Sequence, residues 1–456
     1  MSKTANQPEP ADLRPLQLLF LAAAVFVVSA GYGALLPLLP AWLAQQMPGS
    51  TPSEVARHVG FLSGTYTAGV LVGAPIWGLV SDRLGRTRIL IFGLVGYVAS
   101  LLLLLLPSMG GLWAIYALRA AAGLFVAAVV PVVPALVAAH TPKAIRARRF
   151  AWLGAASLLG FLFGPGLNAV ADALAAVFSS GVAMAALSTR IVILLSALLG
   201  ASMMLGLALT LPVDEGAPDS DAADAQASKP AGFAALWWLT VAVNLVLSGF
   251  ELGIVLQGRQ HAELTTQQVA MMFAECSLVM IAVNALLFFT GLLDKVPPRW
   301  SVAAGSVLGM AGLAVLALHQ TNTGMYVGVS LTSAGTGLVL PVIAFLAAGA
   351  SHRSLGATMG GLAAAGALGQ TLGSAASGWL FASVAQLSFA WLALPLLATL
   401  IVLMLRPSWW KHCGHGSLGG HGSDPTSRRN VSDATPPGAA GVRPAVPPAG
   451  SSTHHH

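Results

Sequence analysis

The chain has 456 residues, of which 56% are hydrophobic and only 8% charged, with a formal net charge of +6. Soluble domains carry roughly 25% charged residues, so this composition excludes a water-soluble globular protein and points to a polytopic membrane protein. The positive balance reflects loops beside a bilayer and not a nucleic-acid surface.

A crossing needs roughly 20 mostly apolar residues. Twelve segments qualify: 16–45, 58–80, 88–107, 111–139, 149–174, 188–211, 233–257, 268–290, 300–319, 323–349, 355–383 and 386–406. They are numbered spans 1 to 12. Span 1 is too long for the apolar part of a signal peptide, and no small-residue cleavage site clearly follows it. Residues 1–15 precede it. The stretch 212–232 holds Asp214, Glu215, Asp219, Asp221 and Asp224 among Ala, Ser and Pro, which predicts a mobile linker between a bundle at 16–211 and one at 233–406. The tail 407–456 is rich in Gly, Ser, Pro and His and is expected to be disordered. With the N-terminus inside, almost every Lys and Arg falls on the cytoplasmic side. The exceptions are Arg57, Arg190 and Arg259 in outer loops and Arg119 inside span 4. That bias predicts cytoplasmic termini.

Along the chain, span 1 carries Leu36-Pro37-Leu38-Leu39-Pro40. Spans 2 and 3 are joined by Gly78-Leu-Val-Ser-Asp82-Arg83-Leu-Gly85-Arg86-Thr87-Arg88. Gly85 permits a tight turn between two helices. Asp82, at the end of an apolar helix, needs a cationic partner, and Arg83, Arg86 and Arg88 are at hand. Span 4 contains Arg119 and Gly123. Span 5 contains Gly160-Phe-Leu-Phe-Gly164-Pro165. Small residues one turn apart let helices approach closely, and proline bends a helix. These residues are expected to form a seam between the two halves, paired with Gly366, Gly369 and Gly373 of span 11. The run Gly291-Leu-Leu-Asp294-Lys295-Val-Pro-Pro-Arg299 echoes the loop after span 2, and Gly337 echoes Gly123. Two six-span halves in parallel repeat follow.

Charges inside a membrane are expensive, and so usually functional. Arg119, Glu251 and Glu275 lie well inside spans 4, 7 and 8, all roughly 9–12 Å below the outer surface at 1.5 Å per residue. Among the uncharged polar residues, Tyr32 in span 1 and Asn244 in span 7 could face a substrate, although a packing hydrogen bond is the commoner use of either. Cys276 and Cys413 are far apart and imply no disulfide framework. Tail histidines such as His412 and His415 have no rigid scaffold, so no metal site is expected. No catalytic constellation is present, which argues against an enzyme.

The loop after span 2 resembles the signature G-x-x-x-D-[RK]-x-G-x-[RK]-[RK] of the major facilitator superfamily, with Thr87 the one departure. Arg119 and Gly123 resemble the R-x-x-x-G pattern of proton-coupled members. Gly160, Gly164 and Pro165 resemble the antiporter signature, though Leu167 and Asn168 stand where two glycines are usual. Leu36 to Pro40 resembles the P-x-x-P signature of twelve-span drug exporters. The resemblance implies an all-α fold of twelve transmembrane helices in two six-helix pseudo-repeats, with spans 1, 4, 7 and 10 lining a central cavity. Tyr32, Arg119, Asn244 and Glu251 would then be cavity residues. Arg119 and Glu251 would face each other, with Glu275 nearby. A carboxylate whose distance from Arg119 changes between states changes its proton affinity, so these three are the proton-coupling candidates. Gly78, Asp82, Arg83, Gly85, Arg86 and Arg88 would form the inner gate.

The expected function is secondary transport in an inner membrane: efflux of a small amphipathic compound in exchange for protons, by alternating access. The expected partners are the substrate, protons and lipid. A monomer is expected, and no cofactor beyond the proton gradient. The alternatives are export of a sugar, export of a metal-chelating or amino-acid-derived metabolite with Arg119 holding a carboxylate, and a receptor or scaffold that no longer transports.

Overall fold

The structure, a computed structural model, describes residues 13–106, 111–141, 143–211, 233–260, 264–290, 295–319, 321–350 and 355–405. The linker 212–232, the tail from 406, and Gly291 and Asp294 of the echo lie outside the described residues. What is described is helical almost throughout. Eleven continuous segments are apolar and long enough to cross a membrane, and the last, Gly361–Leu405, has 45 residues. At 1.5 Å per residue that is roughly 68 Å, more than twice a hydrocarbon core of about 30 Å. It breaks at Ala385, whose φ of 49° belongs to no helix, and so makes two crossings. The expected twelve spans result.

The helices run past the apolar segments that announce them. Span 2 extends from Pro52 to Leu84, well beyond 58–80. It starts at a capping box, in which Thr51 accepts from the Glu54 amide and Glu54 accepts from the Thr51 amide at 2.8 Å. It stops at Gly85, whose φ of 95° ends one helix and begins the next, Arg86–Leu103, with no other residue between. Span 1 is helical over Pro15–Leu35, makes a single 3-10 turn at Leu36–Leu38 and resumes over Leu39–Gln46. Pro37 and Pro40 lack the amides that a continuous helix would use there. Span 4 is interrupted between Gly111–Val126 and Val129–Ala139, one turn before Pro131. Span 5 (Lys143–Phe178) and span 6 (Gly181–Thr210) complete the first half.

The second half consists of spans 7 (Phe233–Gln260), 8 (Thr266–Thr290), 9 (Pro298–Leu318), 10 (Asn322–Ala350) and 11 (Leu355–Val384), with Ser388–Leu392 and Leu394–Leu405 as span 12. Neighbour relations repeat between the halves. Span 1 packs on 5 and 6 as 7 packs on 11 and 12, 2 on 4 as 8 on 10, and 3 on 4 and 6 as 9 on 10 and 12. The halves meet along spans 2 and 11 and along spans 5 and 8. One buried apolar cluster lies within the first half, around Leu21, Leu90, Val133 and Val192. The other joins Leu36, Leu43 and Val59 to Val243, Phe250 and Met272 of the second half. Large apolar side chains such as Trp113, Leu198, Phe289 and Met404 point outward, as a lipid-facing rim requires.

Candidate functional site

Helix ends position the loop motif. Asp82 sits on the last turn of span 2 and Arg86 on the first turn of span 3. Gly85 turns the chain so that Arg86 Nη2 meets Asp82 Oδ1 at 3.3 Å. Arg86 also donates from Nη1 to the Ala135 carbonyl at 3.3 Å, tying the turn to span 4. Arg83 and Arg88 are exposed, while Thr87, where the family pattern has a base, is buried. A Cβ on Gly78 would meet nothing within 4 Å. At this end of span 2, then, no neighbour requires its glycine.

The opposite end of the same helix is crowded. A Cβ on Gly60 would lie 2.6 Å from Gly378 Cα and 2.8 Å from the Ser374 carbonyl, and one on Gly64 would lie 3.2 Å from the Thr371 carbonyl. Thr371 donates to Thr67 Oγ1 at 3.1 Å. The two halves are therefore shut against each other at the end away from the motif.

The expected seam glycines pack elsewhere. Gly160 is pressed against Phe26 and Ser29, and a Cβ on Gly164 would lie 2.8 Å from Gly33 and Ala34. All four belong to span 1, in the same half as span 5. Gly366, Gly369 and Gly373 likewise face Asn244, Val241 and Leu245 of span 7. The pattern demands a close neighbour, and that neighbour is the partner helix of each half and not the other half. Pro165 lies inside an unbroken helix. Span 5 does reach across, through Phe161, whose ring stacks on Phe273 of span 8 with centroids 6.2 Å apart.

Asn244 is likewise already engaged. It donates to the Thr240 carbonyl at 2.9 Å and accepts from Gln370 at 3.3 Å. It belongs to a polar strip with Ser248 and Ser374, whose hydroxyls are 2.5 Å apart. That strip fastens span 7 to span 11, and Asn244 takes part in the packing of those two helices.

The three membrane charges are not brought into an ion pair. Arg119 is only 3% exposed, and among the described residues no carboxylate lies within the 4.0 Å of a salt bridge. Its guanidinium carbon sits 4.7 Å from the centroid of Tyr66, over the ring face, while its Nε has no hydrogen-bond partner. It borders a narrow cleft with Leu35, Trp42, Thr189 and Ile193, inside the first half. Arg119 is not within ion-pair distance of Glu251, and the Tyr66 ring that it faces lies 5.4 Å from that of Tyr32, centroid to centroid. Tyr32 is half-buried and lies within electrostatic reach of both Arg119 and Glu251. Glu251 is 9% exposed and has no hydrogen bond or ion pair among the described residues. Glu275 accepts from Ser330 of span 10 through Oε1, and its Oε2 is buried without a partner. Cys276 lies within electrostatic reach of both carboxylates.

An aromatic series thus runs from Tyr66 to Tyr32, then to Phe161 at 5.5 Å and to Phe273 at 6.2 Å. Sequence reasoning placed only Tyr32 in it. Tyr66, Phe161 and Phe273 carry no distinguishing signal within apolar helices. The nearest clue is that Arg119, lacking an acidic residue nearby in span 4, had to be compensated by something else.

A family profile described as the Major Facilitator Superfamily matches residues 21–291, more than half of the chain. Among curated proteins, the chain is 35% identical over 135 residues to the tetracycline resistance protein, class B, of Escherichia coli, covering 30% of this chain and 32% of that protein. It is 29% identical over 149 residues to multidrug resistance protein 2 of Bacillus subtilis, covering 32% and 35%. The chain thus spans about a third of the length of the curated relatives it matches. Over nearly its whole length it has the fold of the human organic anion transporter MFSD10, with a TM-score of 0.64 at 20% identity over 87% of this chain and 100% of that one. A bacterial homolog of the human lysosomal transporter Spinster, solved in an inward-facing and unoccupied conformation, gives 0.61 at 16% identity over 88% and 97%.

Proposed function

From the premise that the chain belongs to the Major Facilitator Superfamily, we propose that it is a proton-coupled exporter of a small amphipathic compound, working by alternating access in an inner membrane. The motif end is the cytoplasmic end, and both termini lie on that side. The observation that carries this reading is Glu251: a buried carboxylate without hydrogen bond or ion pair among the described residues, on a span that packs at the contact between the halves. A buried charge left uncompensated is expensive. Such a group holds a proton in one state and yields it in another more readily than a carboxylate locked in a salt bridge. The partial likeness to tetracycline and multidrug resistance proteins supports export as the direction.

In this state spans 2 and 11 meet closely at the end away from the motif, which we read as the closed outer end. Substrate enters from the cytoplasmic side or the inner leaflet against Tyr32 and the Phe161–Phe273 stack. Rocking of the halves parts Gly60 from Gly378 and brings Asp82 and Gly78 toward the second half, where the loop motif closes the inner gate. Glu251 then exchanges its proton with the outer side, and Glu275 is the second candidate for that exchange. The burial of Arg119 behind Tyr66 disfavours the reading in which it holds a substrate carboxylate.

The test uses inside-out vesicles with an imposed pH gradient, and tetracycline and ethidium as probes. Glu251→Gln should lose gradient-driven accumulation of a transported probe while retaining its binding. Gradient-driven transport by that variant at the wild-type rate overturns Glu251 as the coupling group.

A further inference from the structure

We propose that Arg119 anchors a binding site for a small monatomic anion of the halide class, held inside the first half as the counter-charge of the buried guanidinium.

Arg119 is 3% exposed. A guanidinium cannot shed its proton on burial as a lysine can, and a buried charge left uncompensated is expensive. Among the described residues no carboxylate lies within 4.0 Å of it, and its Nε has no hydrogen-bond partner. The Tyr66 ring covers one face at 4.7 Å and attracts the cation through its quadrupole. The N–H groups of a guanidinium lie in its plane, so a ring on the face leaves the donors at the edge unspent.

The cleft at Arg119 offers donors in place of acceptors. Its walls are mainly Leu35, Leu38, Leu39, Leu104 and Ile193, and its other polar members are Trp42 and Thr189. An indole N–H is a donor only. Thr189 spends its own proton on the Ala185 carbonyl at 3.0 Å. One turn past Ile193 on the same face of span 6, Ser196 is 1% exposed and its Oγ has no partner. Tyr97 of span 3, within electrostatic reach of the guanidinium, brings its hydroxyl to the same place. A Cβ on Gly31 would run into that hydroxyl and lie 3.7 Å from Ser196 Oγ.

A water molecule could accept from Nε but would leave the charge uncompensated. An anion does both. Sulfate or a carboxylate carries further acceptor oxygens, which narrow leucine walls cannot satisfy, whereas a halide has none. Leu35, Tyr97, Arg119 and Thr189 come from spans 1, 3, 4 and 6, all in the first half, so the ion travels with that half when the halves rock. The site is separate from the cargo, and it stands whether or not Glu251 carries the proton.

The experiment compares thermal midpoints of the full-length protein in detergent, in chloride and in gluconate at equal ionic strength. A ligand that binds only the folded state raises the midpoint. The wild-type midpoint should be higher in chloride by about 2 °C, the scale expected for a ligand at about ten times its Kd, and bromide should act as chloride does. Arg119→Gln should melt at the same temperature in all three salts. Crystals of the wild-type protein grown in bromide should show an anomalous peak at the edge of the Arg119 guanidinium, a result that needs no variant should Arg119→Gln not fold. Equal wild-type midpoints in chloride and gluconate, a chloride effect that persists in Arg119→Gln, or no bromide peak at Arg119 (water only) each overturn the proposal. So does a peak without an effect in solution, which marks an adventitious ion only.

Discussion

Gly60→Ala adds one methyl group where span 2 meets span 11, and its effect can be worked from the geometry. The new Cβ would lie 2.6 Å from Gly378 Cα and 3.0 Å from Gly378 N. Ordinary carbon contacts are about 3.5–4.0 Å, so the helices must part by about 1 Å. Both obstructing atoms are backbone, and no rotamer change relieves them. Overpacking of this kind costs roughly 1–3 kcal/mol. The clash exists only while the outer end is shut. The variant should therefore move the equilibrium toward the outward-open state by roughly 5- to 150-fold, the factor equivalent to that energy. The assay is electron–electron double resonance between spin labels at Arg57→Cys and Ser383→Cys, both exposed near the ends of spans 2 and 11, with Cys276 and Cys413 replaced by serine. The Gly60→Ala protein should gain a longer-distance population that is minor in the parent. Gly154→Ala is the control, since a Cβ there meets nothing within 4 Å. An unchanged distance distribution in Gly60→Ala would refute the contact as the element that holds the outer end closed.

Three further outcomes are expected. Asp82→Asn, which removes the negative charge paired with Arg86 at 3.3 Å, should abolish efflux with normal membrane insertion; unchanged efflux of a transported probe removes the motif from the gating step. Gly164→Val places branched carbons against the span 1 backbone, where even a Cβ would be at 2.8 Å. It should lower the thermal midpoint in detergent by several degrees, the scale of a 1–3 kcal/mol overpacking penalty, and a wild-type midpoint contradicts the close packing. Asn244→Leu should destabilise the second half through the loss of the Thr240 and Gln370 hydrogen bonds, while the relative rates for different probes stay the same. A changed substrate preference would return Asn244 to the cavity.

Hydropathy made the spans legible because burial in lipid imposes length and apolarity together. The boundary between spans 11 and 12 was readable even though Gly361–Leu405 forms one apolar stretch. In the structure Gln386 lies at that boundary and donates to the Leu316 carbonyl at 2.6 Å, covering the end of span 9. The turn at Gly85 was legible from the glycine and the charges around it. The partner of the Gly160 and Gly164 face was not. A pair of small residues reports that some helix comes close, and carries no information on which. Arg119 and Glu251 are buried and Glu275 is half-buried, but depth along the axis says nothing about azimuth. Their true neighbours, Tyr66 and Ser330, depend on how each helix is rotated about its own axis, which a single apolar sequence does not record.

The junction at Gly85 constrains how the cytoplasmic edge can move. A loop of several residues would let span 2 slide or tilt while span 3 stayed still. Here one residue separates two helices of 33 and 18 residues, and Arg86 clips the corner to span 4. The corner ties the ends of the three helices together, and Gly85 lies roughly 38 Å along span 2 from the Gly60 contact at 1.5 Å per residue. Lengthening that corner by a few flexible residues would leave every side chain of the signature in place and still uncouple the two ends of the molecule.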